Sequence, residues 1–312
     1  MYNLFDLHCD TATEMFAKKQ FLMSNDLNIS LNQRRNIEKY IQTFAFWTKE
    51  DENTSKPRFK SFTECYAYFM KECIKNSDSV TIIADKSDLE GIKSNGKTGI
   101  ILSIEGGGVL EGKPENVEKL YKSGIKMITL TWNLKNELSG GVLDEVESGL
   151  TETGKSVIGE MERLGMIVDV SHISDKGFED VCKTAKKPFI ASHSNSRALC
   201  GHKRNITDDM FKEIVSRGGI VGINLYSKFL SEKEGSTVSD VLAHIDRFLK
   251  LGGEKTVAFG TDFDGVENQL PAELPKLENM HVMAKLLEQS YGKELAEDIM
   301  FNNANRFFLK HI

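Results

Sequence analysis

Short apolar runs recur along the chain, separated by stretches in which apolar residues return at helical spacing. The first run, Leu4-Phe5-Asp6-Leu7-His8-Cys9-Asp10, reads as a strand ending in a histidine and a carboxylate. Further runs with strand character begin near residues 40, 99, 125, 166, 188, 219 and 256, and 80–84 reads as a short extra strand. Between them, 62–74, 117–123, 153–164, 175–185, 208–217 and 238–251 read as helices, with 280–289, 293–300 and 303–310 closing the chain. Ser174 is placed to cap the helix at 175, and Gly165 to end the one before it. The stripe Phe62, Tyr66, Phe69, Met70 and Cys73 reads as the core face of its helix. Polar 18–38 reads as a helix plus loop, 53–58 as a loop, and 133–147 as a long Gly-rich loop of the kind that often carries function.

Strands alternating with helices at this cadence predict right-handed βαβ units and a parallel sheet. Eight principal strands favour a closed (β/α)8 TIM barrel over an open sheet, and no G-x-G-x-x-G follows the first strand to suggest a dinucleotide fold. A length of 312 residues fits one such barrel, and no linker or repeat divides it, so 1–312 is expected to be a single domain. With 40% hydrophobic and 28% charged residues the chain can bury an ordinary core. A net charge of −6 leaves no basic face for nucleic acid or anionic membrane, which points to small-molecule chemistry. The N-terminus lacks a leader pattern and no run of 18 apolar residues occurs, so a cytoplasmic location is expected. Five cysteines without a C-x-x-C pair read as idle thiols.

In a barrel of this kind the C-terminal strand ends gather at one mouth, and His8, Asp10, Glu105, His172, His193 and Asp262 fall there. His8 and Asp10 share one face of the first strand because successive side chains alternate sides. Three imidazoles and three carboxylates exceed what one ion needs, and they suit zinc or a similar divalent metal, with a shared carboxylate able to bridge two ions about 3.5–4 Å apart. Asp6 sits one layer deeper and reads as a hydrogen-bonded residue, while Asp169 has an open role. His202, His244, His281 and His311 read as surface or structural residues.

His8-Cys9-Asp10, Ser103-Ile-Glu105-Gly-Gly, Asp169-Val-Ser-His172, Ser192-His193-Ser, Arg204-Asn205-Ile and Gly260-Thr-Asp262-Phe-Asp264-Gly265 occur in an order and spacing that resemble the membrane (renal) dipeptidase family, zinc peptidase family M19, within the amidohydrolase-like barrels. The chain looks like a bacterial-type soluble member. The resemblance implies a binuclear zinc site: His8 and Asp10 hold one ion, His172 and His193 the other, and Glu105 bridges them. It implies hydrolysis of small dipeptides by a hydroxide shared between the ions, with tolerance of a D-residue at the C-terminal position. Asp262 is then the proton shuttle, with Asp264 as second choice, and Arg204 pairs with the substrate carboxylate. Family members often form dimers, although no stretch here identifies an interface. Where several members carry a histidine after the fourth strand, this chain has Trp132-Asn133, so either Asn133 or Asn136 donates to the substrate carbonyl, or zinc alone polarises it, or substrate preference is altered. Two alternatives stay open: an amidohydrolase acting on another small amide such as an N-acyl amino acid, and a catalytically silent metal-binding barrel.

Overall fold

The computed structural model describes residues 1–49, 56–267 and 269–312. Its frame is one parallel sheet built from β1 (Tyr2–Cys9), β2 (Ile37–Trp47), β3 (Val80–Ile82), β4 (Thr98–Glu105), β5 (Ile125–Thr129), β6 (Ile167–Asp169), β7 (Val221–Ile223) and β8 (Val257–Phe259). Seven strands follow the order β6-β5-β4-β2-β1-β8-β7, and β3 lies beside β4. Both β3 and β5 use one edge of β4: Val80 to Ile82 pair with Thr98 to Ile100, and β5 takes over from Leu102. The fold is therefore α/β with crossover helices, as the alternation predicts.

Register decides where side chains end up. Trp47 lies opposite Glu105, Glu105 opposite Thr129, and Thr129 opposite Asp169, so the C-terminal ends of four strands are level. At the other side of β1, Asp6 pairs with Phe259, and the Asp10 N–H donates to the Phe263 carbonyl at 2.9 Å. Phe5 and Leu7 alternate with Asp6 and His8 and are fully buried. The Phe5 ring packs on Phe301 and Phe308 near the C-terminus, with centroids 6.2 and 5.0 Å away. Burying a side chain of this size is worth about 2 kcal/mol, so the first strand is held from behind by the last helices.

Several expected elements differ in detail. The run from 188 forms no ladder strand; Ile190 and Ala191 make single parallel bridges to Asp169 and Val221. Beyond them the Ser192 carbonyl presses so closely on Gly222 and Gly260 that a Cβ at either glycine would collide with it. The run from 166 ends as a strand at Asp169, whose carboxylate takes the Ser171 N–H at 3.0 Å, and the backbone turns to a left-handed φ of 68° at His172. Helix Lys86–Asn95 was not expected; Asp85 caps it by accepting the N–H groups of Ser87 and Asp88. The helix expected over 293–300 gives way to a π turn at Asp298–Asn302. Ser174 and Gly165 do act as caps, the latter with φ 77°. Of the loop expected at 53–58, residues 53–55 lie outside the described residues, and helix Arg58–Lys75 begins at its end. Among the described residues no helix is long and apolar enough to cross a membrane.

Candidate metal centre

The strand ends bring six imidazole and carboxylate side chains to one buried point. His8 Nε2 lies 3.4 Å from Asp10 Oδ2, 3.8 Å from Glu105 Oε1 and 3.7 Å from Asp262 Oδ1. The same Glu105 oxygen is 2.9 Å from His172 Nε2 and 3.5 Å from His193 Nε2. The two latter nitrogens are themselves 2.9 Å apart, and the His8 and His193 rings stack at 3.7 Å. Among the described residues three triads thus have ligand atoms close enough to share an ion: His8–Asp10–Glu105, Glu105–His172–His193 and His8–His193–Asp262.

This cluster is starved of positive charge. Burial alone would lower the pKa of His8, yet Glu105, Asp10 and Asp262 outweigh it and push the imidazole up to about 10. Burial, aided by Asp10, drives Glu105 well above the usual carboxylate range. Burial also raises Asp262 to about 6 and holds His172 and His193 far below the ordinary histidine value, as neutral rings. Both ring nitrogens of His8 are buried without a hydrogen-bond partner, although the ring is fully enclosed. Orphaned nitrogens, neutral imidazoles and crowded carboxylates are what a divalent-cation site of mixed N and O donors looks like with protein atoms alone, so the donor set fits zinc or a similar ion.

Around these side chains sits a shell of oriented groups. Asp6 does not join the cluster; it accepts the Thr261 N–H at 2.8 Å and the Thr261 hydroxyl at 2.6 Å, tying β1 to the end of β8. Asp264 is also occupied, accepting from the Thr11 hydroxyl at 2.5 Å and the Asn28 N–H at 2.7 Å, and burial raises it to about 6. Asn224, which no sequence pattern singles out, donates from Nδ2 to Asp262 Oδ2 at 2.8 Å. Asn133 places its amide oxygen 2.9 Å from His172 Nδ1 and borders the open cavity beside the cluster. His244 is buried between the Ser196 N–H and the Leu230 carbonyl, and none of His202, His244, His281 and His311 enters a ligand group among the described residues.

His172, Asp262 and Asp264 all have positive φ, at 68°, 61° and 70°. Non-glycine residues in this region cost about 1–3 kcal/mol and cluster at functional sites. Gly265 follows at once, and a Cβ there would strike both the Asp10 and Asp262 carboxylates. Gly265→Ala is therefore expected to displace those carboxylates and weaken metal uptake by about tenfold or more, as when a supporting contact is lost. Titration of the folded variant with zinc against a chelator checks this; wild-type affinity would rule the contact unimportant.

Arg204 is buried beside the cluster, donating from Nη1 to Ser194 Oγ and from Nη2 to the His193 carbonyl, both at 3.2 Å, while its Nε has no partner. Burial lowers its pKa to about 10, with Asp262 and Glu105 opposing. The cavity in front of the cluster measures about 720 Å³ and is bordered by Asp10, Glu105, His172 and Asp262 on its floor. Trp47 and Trp132 form one wall, edge to face at 5.1 Å, with Trp132 6.4 Å from the His172 ring.

An α/β sheet carrying a buried constellation of this composition beside an open cavity defines a metal-dependent hydrolase. The match to known proteins narrows the class: the model of the membrane dipeptidase family, peptidase family M19, covers residues 1–311. The chain belongs to that family and is a metallo-dipeptidase. A Klebsiella pneumoniae protein described as an uncharacterized protein in the pqqA 5′ region is 31% identical over 247 residues, or 75% of this chain and 90% of that one. An uncharacterized dipeptidase of Schizosaccharomyces pombe is 32% identical over 250 residues, which span 76% of this chain but only 59% of that protein. Among solved structures, a Rhodobacter sphaeroides metallo peptidase liganded with a phosphinate mimic of L-Ala-D-Ala superposes with a TM-score of 0.89 at 20% identity over 99% of both chains. A dipeptidase of family M19 superposes equally well, at 21% identity over 99% of this chain and 98% of its own.

Proposed function

We propose that the chain is a zinc-dependent dipeptidase with a binuclear site, cleaving small dipeptides and tolerating a D-residue at the C-terminal position. The observation that carries this reading is the position of Glu105, whose Oε1 is within reach of His8, His172 and His193 and belongs to two ligand triads at once. His8, Asp10 and Glu105 would hold one ion, and Glu105, His172 and His193 the other. Bound there, the ions would supply Lewis-acid polarisation of a peptide carbonyl and a water acidic enough to ionise near neutral pH.

The chain's own residues do the rest. Asp262 takes the proton from the attacking water and returns it to the leaving amine. Asn224 keeps Oδ2 of that carboxylate engaged, and Oδ1 stands 3.7 Å from His8 Nε2 in a residue that borders the cavity. Arg204, enclosed with an unpartnered Nε, binds the terminal carboxylate of the dipeptide through paired N–H groups. Arg204→Lys is expected to raise KM by about tenfold or more with kcat little changed, because a point charge replaces a planar fork. Steady-state kinetics on one dipeptide decides it; a fall in kcat alone would remove Arg204 from binding. Trp132 presents an indole where an imidazole donor is expected, so we assign carbonyl orientation to the ions together with the Asn133 amide.

The Rhodobacter sphaeroides structure bears a mimic of L-Ala-D-Ala, which supports the proposed stereochemical tolerance. The parallel bridges of Ile190 to Asp169 and of Ala191 to Val221 support closure of the sheet between β6 and β7 into a (β/α)8 barrel. The family match over 1–311 supports a single domain. A cytoplasmic location and a homodimer belong to the same proposal, and fractionation and sedimentation test them. The direct experiment is hydrolysis of L-Ala-L-Ala and L-Ala-D-Ala with metal counted on the same sample by mass spectrometry. Cleavage with about two zinc ions per chain is expected. Two ions without cleavage would favour another amide substrate, a reading that Trp132 supports; no metal would overturn the site.

A further inference from the structure

We propose that Asp169 and Ser192 form a relay that fixes the tautomer of His193 and so readies its Nε2 for a metal ion. This rests on the metal-site reading above and concerns a residue that neither binds substrate nor touches the reacting atoms.

The chain of donors allows one arrangement. Asp169 ends β6 and is fully buried against the 189–193 segment. Its Oδ1 accepts the N–H groups of Ser171 at 3.0 Å and Ser192 at 2.9 Å. Its Oδ2 accepts the hydroxyls of Thr129 at 2.6 Å and Ser192 at 2.5 Å. A carboxylate only accepts, so the Ser192 proton is committed to Asp169. Ser192 Oγ also lies 2.7 Å from His193 Nδ1, and with its proton spent it can only accept there. Nδ1 must therefore carry the hydrogen. The ring's one lone pair is left on Nε2, which faces Glu105 at 3.5 Å and His172 Nε2 at 2.9 Å. Such outer partners set ring orientation and ligand basicity.

Asp169→Asn reverses the logic without changing shape. The amide nitrogen in place of Oδ2 donates to the Ser192 hydroxyl, whose proton swings to His193 Nδ1. The imidazole hydrogen then moves to Nε2, where it blocks the ion. Ser192→Ala removes the acceptor but forces no reversal, so its effect is smaller.

The test is nitrogen-15 NMR of histidine rings in the full chain, metal-depleted and zinc-loaded, with His193 assigned by the loss of its signals in a His193→Gln protein. Wild type is expected in the Nδ1–H form in both states, and metal-depleted Asp169→Asn in the Nε2–H form. Zinc affinity of Asp169→Asn is expected to fall about 10- to 100-fold, by chelator competition. An Nε2–H ring in the metal-depleted wild type overturns the relay, whether or not the variant folds. So does an Nδ1–H ring in folded Asp169→Asn. A failed dipeptidase assay leaves both readouts standing, so the relay and the proposed reaction fail separately.

Discussion

Glu105→Gln is expected to abolish metal binding at both positions and to lower kcat/KM by about 10³-fold or more, because the substitution takes one negative charge from two ligand sets at once. Glutamine has the same shape and keeps an oxygen near the three Nε2 atoms, so any loss reports charge rather than packing. The metal-free chain should behave in the opposite way. Burial, and after it Asp10, hold Glu105 well above the usual carboxylate range, so a neutral amide removes the cost of enclosing an ionisable group there. The melting temperature of the chelated variant is expected to match or exceed that of chelated wild type. Metal analysis, kinetics and thermal unfolding on the same preparations decide it. A variant that keeps both ions and its turnover would remove Glu105 from the centre.

Asp262→Asn separates catalysis from ligation. If Asp262 moves the proton, the variant keeps its ions and its KM while kcat falls by about 10²–10⁴-fold. The competing outcome is specific, because Asp262 also forms a triad with His8 and His193. Loss of one ion together with activity would make Asp262 a ligand and leave the proton transfer without an owner. Full activity with full metal content would exclude both roles. The Asn224 contact is expected to survive, since an asparagine oxygen can still accept the 2.8 Å bond now made to Asp262 Oδ2.

Much of the fold was legible because strand and helix periods differ. The runs beginning near 4, 40, 99 and 125 are long and apolar, and all four became ladder strands. The run at 188 was equally apolar, but pairing there depends on Gly222 and Gly260 leaving room for Ser192 O, a close approach across sequence that no local pattern records. The ligand-type residues were legible as polar endings to apolar runs. Their supporting groups were not. Asn224 stands in no motif, and Ser192 and Gly265 stand in motifs without a role of their own; their importance lies in partners 38, 23 and 255 positions away, Asp262 for Asn224, Asp169 for Ser192 and Asp10 for Gly265. The left-handed backbone at His172, Asp262 and Asp264 was equally invisible, since none of these residue types demands it.

The pairing of β1 with β8 has a consequence for synthesis on the ribosome. One edge of β1 must wait for Phe259, 253 residues further along the chain than its partner Asp6, before it finds its neighbour. Until then the buried face of Phe5 also lacks Phe301 and Phe308. Contacts of such long range form slowly and leave apolar strands open to wrong partners, so β1 on the nascent chain is a natural client for a chaperone. His8 and Asp262 come together only when that edge closes, and a chain stopped short of β8 would carry all five proposed ligands without the carboxylate that moves the proton.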